Sequence, residues 1–150
     1  MSLGVIIFRL ILVAFLCGVL GLERLIHHRP LGLRTNALVG IGTVLMTLTA
    51  LVIAKNYPDF PVDVSRIPAY VLPGIGFLGA GTIIQTRGSV IGLTTAATLW
   101  VAAGIGIAVG VGLYWEAILT TLIVLIILSL IRPLEKRIEK KLGVKGDIEI

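Results

Sequence analysis

The sequence predicts an all-α membrane protein, a polytopic helical bundle of about five transmembrane helices, and three observations predict it. Hydrophobic residues make up 57% of the chain and charged residues 14%, where soluble domains carry about a quarter charged. The apolar residues come in runs close to the roughly 20 that a helix needs to cross the hydrocarbon core. The Lys and Arg residues that separate those runs concentrate on alternate connections, as they do in chains threaded through a bilayer. Mean hydropathy is +1.05. The 150 residues suffice for one compact unit, divided into a transmembrane domain at 1–132 and a basic tail at 133–150.

The first span is expected at 3–22. It reads as a retained helix because no Lys or Arg precedes Arg9, which lies inside the apolar run, whereas a signal peptide has a basic n-region and a shorter apolar core. Leu16 does not suit the small residue expected before a lipidated cysteine, and Cys17, the only cysteine, excludes an internal disulfide and a cysteine-based zinc cluster. The second span falls at 35–54 and the third at 67–85. The third contains Pro73 with Gly74, Gly76, Gly79 and Gly81. Each glycine weakens a helix by roughly 1 kcal/mol in water, but in lipid small residues let neighbouring backbones approach, so this segment is expected to be a packed inner helix. The fourth span, 93–113, repeats Ala102, Gly106 and Gly110 on one face and Gly104, Ala108 and Gly112 on another. The fifth, 115–132, has no glycine and is largely Leu and Ile, so it should face lipid or a partner subunit.

Arg24, Arg29, Arg34, Arg87 and the tail residues Arg132, Lys136, Arg137, Lys140, Lys141 and Lys145 fall on one side, against Lys55 and Arg66 offset by Asp59, Asp63 and Glu116 on the other. This predicts an outside N-terminus and a cytoplasmic C-terminus. The tail, with Leu134, Ile138 and Leu142 among basic residues and with Glu135 and Glu139, reads as a solvated surface helix or one that lies on anionic headgroups. Offset by 60 residues, LGLRTNA at 31–37 aligns with IGLTTAA at 91–97, and Gly21 with Gly81. Spans one and two then repeat as three and four in the same sense, a parallel repeat about the membrane normal.

Ionisable groups inside a membrane are functional candidates. Arg9 is expected to snorkel or to pair with Glu116. Glu23 and Arg24 form either an interfacial ion pair or part of a binding site, because Thr35, Asn36, Thr94 and Thr95 open neighbouring helices on the same side. Those hydroxyls are expected to cap helix starts; alternatively they line a polar pocket whose helix N-termini favour an anion or the Glu23 carboxylate. Asp63 is expected to cap the third span and pair with Arg66, or to bind a cation or partner. Thr82 and Gln85 are placed to hydrogen-bond across helices. His27 and His28, beside Arg29, read as headgroup-level residues rather than metal ligands.

Gly21-Leu-Glu23-Arg24, Gly32-Leu-Arg34-Thr35-Asn36, Asp63-Val-Ser65-Arg66, Gly74-Ile-Gly-Phe-Leu-Gly-Ala-Gly-Thr82 and Gly92-Leu-Thr-Thr-Ala-Ala-Thr-Leu-Trp100 together resemble the membrane domain of the MgtC/SapB family, over about residues 15–115. The resemblance implies a bacterial inner-membrane protein tied to growth in low magnesium and, in pathogens, to survival in macrophages. The family was first labelled a magnesium transporter component and later viewed as regulatory, including as an inhibitor of the proton-translocating ATP synthase. Some members add a C-terminal cytoplasmic ACT-like domain; this sequence, which stops shortly after the basic tail, is expected to correspond to the transmembrane domain without it. Carried over as functional are Glu23, Arg24, Asn36, Asp63 and Arg66. Many relatives resemble LVCLGA where this chain has Leu38 to Thr43, so the family's cysteine position is Gly40.

Mg²⁺ is usually held by one or two carboxylates plus retained waters, which makes Glu23 and Asp63 the metal candidates. Both lie at membrane faces, so one subunit offers no evident acidic path; an oligomer, with a dimer favoured, is needed for transport. The expectation is a regulator acting through contacts with other membrane proteins, with an ion transporter as the alternative. No nucleic-acid partner, cofactor or catalytic group is expected, since no nucleophile stands beside a base.

Overall fold

The computed structural model describes residues 1–59, 63–86, 89–131 and 141. Its elements are α1 (Leu3–Ile26), α2 (Leu33–Asn56), α3 (Arg66–Ala80), a hairpin of β1 (Ile84–Thr86) and β2 (Ser89–Ile91), α4 (Leu93–Val111) and α5 (Tyr114–Ile126), the last continuing as a π-helix over Ile127–Ile131. The architecture is a helical bundle. Among the described residues four helices are long and apolar enough to cross a membrane: α1, α2, α4 and Tyr114–Ile131.

The third span is where expectation and structure part. The helix stops at Ala80 after 15 residues, about 22 Å at 1.5 Å per residue and short of a hydrocarbon core of roughly 30 Å. Pro73 sits inside it, bringing no N–H to the carbonyl four residues back. Beyond it Ile84 faces Ile91, Gln85 faces Val90 and Thr86 faces Ser89 in an antiparallel ladder. Gln85 is thus an exposed strand residue, not a helix residue bonding across the bundle. Nor is α3 an inner helix: only Ile75 and Gly79 are buried, and Phe77 is 80% exposed.

The core is built by α1, α2 and α4. Val13, Leu16, Cys17 and Leu20 from α1 meet Val44 and Leu48 from α2, Ala102, Ile105 and Val109 from α4, and Ala117 from α5. A smaller cluster joins Ile75 to Leu99 and Ala103, with Leu31, Val39 and Val71 against it. Within α4, 50% of the span is buried; along Tyr114–Ile131 it is 11%. The expected outward position of the last span follows from that contrast.

The glycines divide in the same way. A Cβ on Gly106 would stand 2.7 Å from Thr43 Cβ and 2.9 Å from the Gly40 carbonyl oxygen, and one on Gly110 would stand 2.6 Å from Thr47 Cβ. These two set the α2–α4 approach. Gly79 meets Ala96 at 3.3 Å, and Gly81 meets the Leu78 and Phe77 carbonyls of the helix it ends, at 3.3 and 3.7 Å. Gly74, Gly76 and Gly104 face open space, so the packing role expected of the first two is not theirs, and the second small face of α4 is not closed by a helix at Gly104.

Gly32 and Gly92 are both N-caps, with Leu33 and Leu93 opening α2 and α4. That part of the repeat holds in register, although Gly32 is extended at φ -74 and Gly92 left-handed at φ 95. The preceding helices differ, 24 residues in α1 against 15 in α3. Arg87, the domain boundary expected after residue 132, and the tail residues Arg132, Glu135, Lys136, Arg137, Glu139, Lys140 and Lys145 lie outside the described residues.

Candidate functional site at the basic face

The end of α1 and the starts of α2 and α4 converge on the face that carries Arg24, Arg29 and Arg34. Their approach is set by backbone: a Cβ on Gly21 would lie 2.6 Å from Leu33 Cα and 2.7 Å from the Gly32 carbonyl oxygen. The connecting loop places two non-glycine residues in the left-handed region, His28 at φ 54 and Leu31 at φ 59. Such conformations persist only when neighbours enforce them. Asn36 does so, its buried side-chain amide donating to the Leu31 carbonyl at 2.6 Å and the Gly32 carbonyl at 3.2 Å.

Thr35 and Thr94 do not occupy the N-cap positions of these helices. The N-caps are Gly32 and Gly92, with no side-chain cap. Gly92 adopts φ 95, and the space of a Cβ there is occupied by the Thr82 carbonyl. Thr82 Oγ1 donates to Gly79 at 2.7 Å, closing the corner into the hairpin. Thr95, 2% exposed, instead accepts from Arg24 Nη2 at 3.1 Å; Thr94 is exposed.

Glu23 and Arg24 are both buried, at 8% and 5% exposure, but the interfacial ion pair between them is not formed. Consecutive residues on a helix do not face each other. The Glu23 carboxylate pairs with His27 Nδ1 at 3.0 Å, one turn later, while Nδ1 also lies 2.9 Å from the Glu23 carbonyl. Two acceptors on one ring nitrogen require the proton to be there. Glu23 Oε2 and Asn36 Oδ1 are buried without a hydrogen-bond partner, two acceptors available to a donor from outside the chain. Glu23, Arg24, Asn36 and Thr95 are therefore brought to one end of the bundle. His27 is the member the sequence reading discounted, although its i,i+4 spacing from Glu23 signalled it.

The other face carries the start of α1, the end of α2, the start of α3 and the α4–α5 turn. Asp63 does not pair with Arg66; its Oδ1 accepts the Ser65 amide at 3.0 Å and the Ser65 hydroxyl at 2.6 Å, one residue before α3. These bonds hold its carboxyl below the usual carboxylate range, with a weaker contribution from Arg66. Arg66 is exposed. Among the described residues the one ion pair is Glu23–His27, and no three His, Cys, Asp or Glu side chains gather as a metal site. Arg9 does not meet Glu116, which is exposed. Its Nε donates to the Tyr114 hydroxyl at 2.9 Å and its Nη1 to the Gly110 carbonyl at 2.8 Å. Tyr114 lies 105 residues away, and no local sequence signal links the two.

Residues 10–137 match the MgtC family. This chain is a member of that family. It is 44% identical to MgtC of Salmonella typhimurium (strain LT2) over 131 residues, 87% of this chain and 54% of the relative. Similarity to SapB of Bacillus subtilis (strain 168) is 40% over 119 residues, 76% of this chain and 51% of the relative. YhiD of Escherichia coli (strain K12), described as a candidate magnesium transporter, is 38% identical over 138 residues, 90% of this chain and 64% of the relative. The MgtC-family chain thus spans between half and two thirds of the length of these relatives. No solved structure matches it.

Proposed function

We propose that this MgtC-family protein is a non-enzymatic regulator of low-magnesium adaptation in the bacterial inner membrane, acting by contact with other membrane proteins. The observation that carries the reading is the filled interior. Between the two polar faces, Val13, Leu20, Val44, Leu99, Ile105 and Val109 are 0–1% exposed, and the buried hydroxyls of Thr43, Thr47 and Thr98 donate to carbonyls of their own helices. A close-packed core of this kind supports transmission of a displacement rather than an ion path through a single copy of the chain. The excess of Lys and Arg at the basic face supports an outside N-terminus and a cytoplasmic basic face. The polar cluster of Glu23, Arg24, Asn36 and Thr95 is then the cytoplasmic regulatory site. The exposed α3 and α5 are the surfaces for a second copy of the chain, as a dimer, and for a membrane partner, for which the family resemblance points to the proton-translocating ATP synthase. Mg²⁺ enters as the regulated ion, with no resident cofactor.

The name of the E. coli relative supports a second reading, transport by an oligomer that gathers Glu23 or Asp63 around an axis. Liposomes containing this protein alone separate the two. With insertion verified, no Mg²⁺ flux above empty liposomes is expected; flux that Glu23→Gln or Asp63→Asn abolishes would replace the regulatory reading with the transport one.

A further inference from the structure

Arg9 sits six residues into α1, about 9 Å from its start, on the face where Tyr57, Tyr114 and Trp115 lie at helix ends. Aromatic residues at such positions mark the level of the lipid headgroups. Its guanidinium is held from two sides: Nε by the Tyr114 hydroxyl, Nη1 by the Gly110 carbonyl, with the Tyr114 ring centroid 5.8 Å from Cζ. Nη1 also touches Met1 Sδ at 3.4 Å. The Gly110 oxygen belongs to the last turn of α4, whose carbonyls lack helical donors, so the contact fixes the guanidinium as much as it caps the helix.

All these partners are neutral. The acids of this face, Asp59, Asp63 and Glu116, are exposed, and none forms an ion pair with Arg9 among the described residues. A part-buried guanidinium at a membrane face draws a counter-charge. Nη2 donates no hydrogen bond among the described residues. Beside it stands Gly112, at φ 100, where an added Cβ would come within 3.2 Å of Nη2; the glycine leaves that edge uncovered. Two N–H donors in a fixed plane match phosphate oxygens.

We propose that the Nη2 edge of Arg9 binds the phosphodiester of a phospholipid headgroup, making this corner of α1, α4 and α5 a lipid-phosphate site. It requires membrane insertion only, and stands whether the protein regulates or transports. On the orientation proposed above the lipid belongs to the outer leaflet.

The test is ³¹P–¹⁵N dipolar recoupling on arginine-labelled full-length protein in phosphatidylglycerol bilayers. A guanidinium signal dephased by phosphorus is expected in the wild type and missing in Arg9→Lys, whose other arginines are unchanged. In bilayers of a phosphorus-free glycolipid the dephasing should vanish, and inorganic phosphate should not restore it. Native mass spectrometry provides a second readout: Arg9→Gln should retain phosphatidylglycerol roughly tenfold less than wild type, the scale of one charge-assisted hydrogen bond. Absence of an Arg9-specific dephased signal in the wild type overturns the proposal without reference to any variant's folding. Restoration by inorganic phosphate overturns the assignment to lipid, and equal lipid retention by Arg9→Gln overturns the energetic role.

Discussion

Gly106→Ala should destabilise the bundle, while Gly104→Ala, two residues away on the same helix, should not. A Cβ at 106 meets Thr43 Cβ at 2.7 Å and the Gly40 carbonyl oxygen at 2.9 Å, whereas one at 104 meets nothing within 4 Å. The Gly40 contact is backbone, so no rotamer change relieves it, and α2 must move off α4 by about 0.5–1 Å. A gap of that size forfeits a quarter to a half of each dispersion contact across it, here between Val44 and Leu48 on one helix and Ile105 and Val109 on the other. Overpacking of this kind costs about 1–3 kcal/mol. Both substitutions also gain up to about 1 kcal/mol of helix propensity, which cancels when the variants are compared. Cys17 provides the assay: it is the only cysteine and is 0% exposed, so a thiol-reactive fluorophore reports opening of the bundle during a thermal ramp in detergent. Gly106→Ala should label at a clearly lower temperature than Gly104→Ala. Equal midpoints, or a higher one for Gly106→Ala, would refute the claim that this glycine sets the α2–α4 separation.

The same geometry predicts that Gly40→Ala is destabilising and is partly rescued by Cys17→Ala, because the new Cβ stands 2.6 Å from Cys17 Sγ and 2.9 Å from Val13 Cγ2; tryptophan-monitored unfolding of the two single variants and the double variant measures the coupling. Arg24→Met and Thr95→Val should couple by about 1.5–3 kcal/mol in a double-mutant cycle, as a buried hydrogen bond to a charged group does; an additive result denies that the 3.1 Å contact contributes. Asp63 has its carboxyl held below the ordinary range, so its bonds to Ser65 stabilise the α3 start fully above that range and are lost as pH falls through the lowered value; amide exchange at Ser65 and Arg66 should speed up at acid pH in the wild type, and Asp63→Asn should remove that pH dependence. In magnesium-poor medium and at equal protein levels, Asp63→Ala should impair growth more than Glu116→Ala, and equal growth would remove Asp63 from the functional set.

How much was legible depends on whether the signal was local. The apolar runs of α1, α2 and α4 are long and carry their caps, Gly32, Gly92 and Gly112, at their ends, so hydropathy found them within a few residues. The failure at α3 has a physical cause: composition registers that Gly74, Gly76 and Gly79 are small, but not whether another helix fills the space beside them. Only Gly79 has a helix against it. Ile84 was likewise placed in the third span, because apolarity alone does not separate a short strand from a helix end. At the site, the motifs located Glu23, Arg24 and Asn36, but not what each touches. Adjacent opposite charges suggested a pair that helix geometry forbids, and the contacts of Arg9 with Tyr114 and of Arg24 with Thr95 join residues 105 and 71 positions apart and exist only once α5 and α4 lie against α1.

The two halves of the repeat have become different objects, and the difference bears on function. In the first half, α1 and α2 touch backbone to backbone at Gly21 and Leu33 and share the main core with α4, so a perturbation at Glu23 or Asn36 falls on a rigid frame. In the second, α3 is short, contains Pro73 and is exposed along Tyr70, Phe77 and Leu78, with an open apolar groove against α4 lined by Gly76, Gly79, Ala80 and Ala97. Rigid elements hold a site in place, and elements with few buried contacts are those that shift at low cost. A regulator needs both. On the regulatory reading proposed above, the polar cluster at the basic face would serve as the input, and α3, joined to it through the Thr82–Gly92 corner, would be the element whose position reports it.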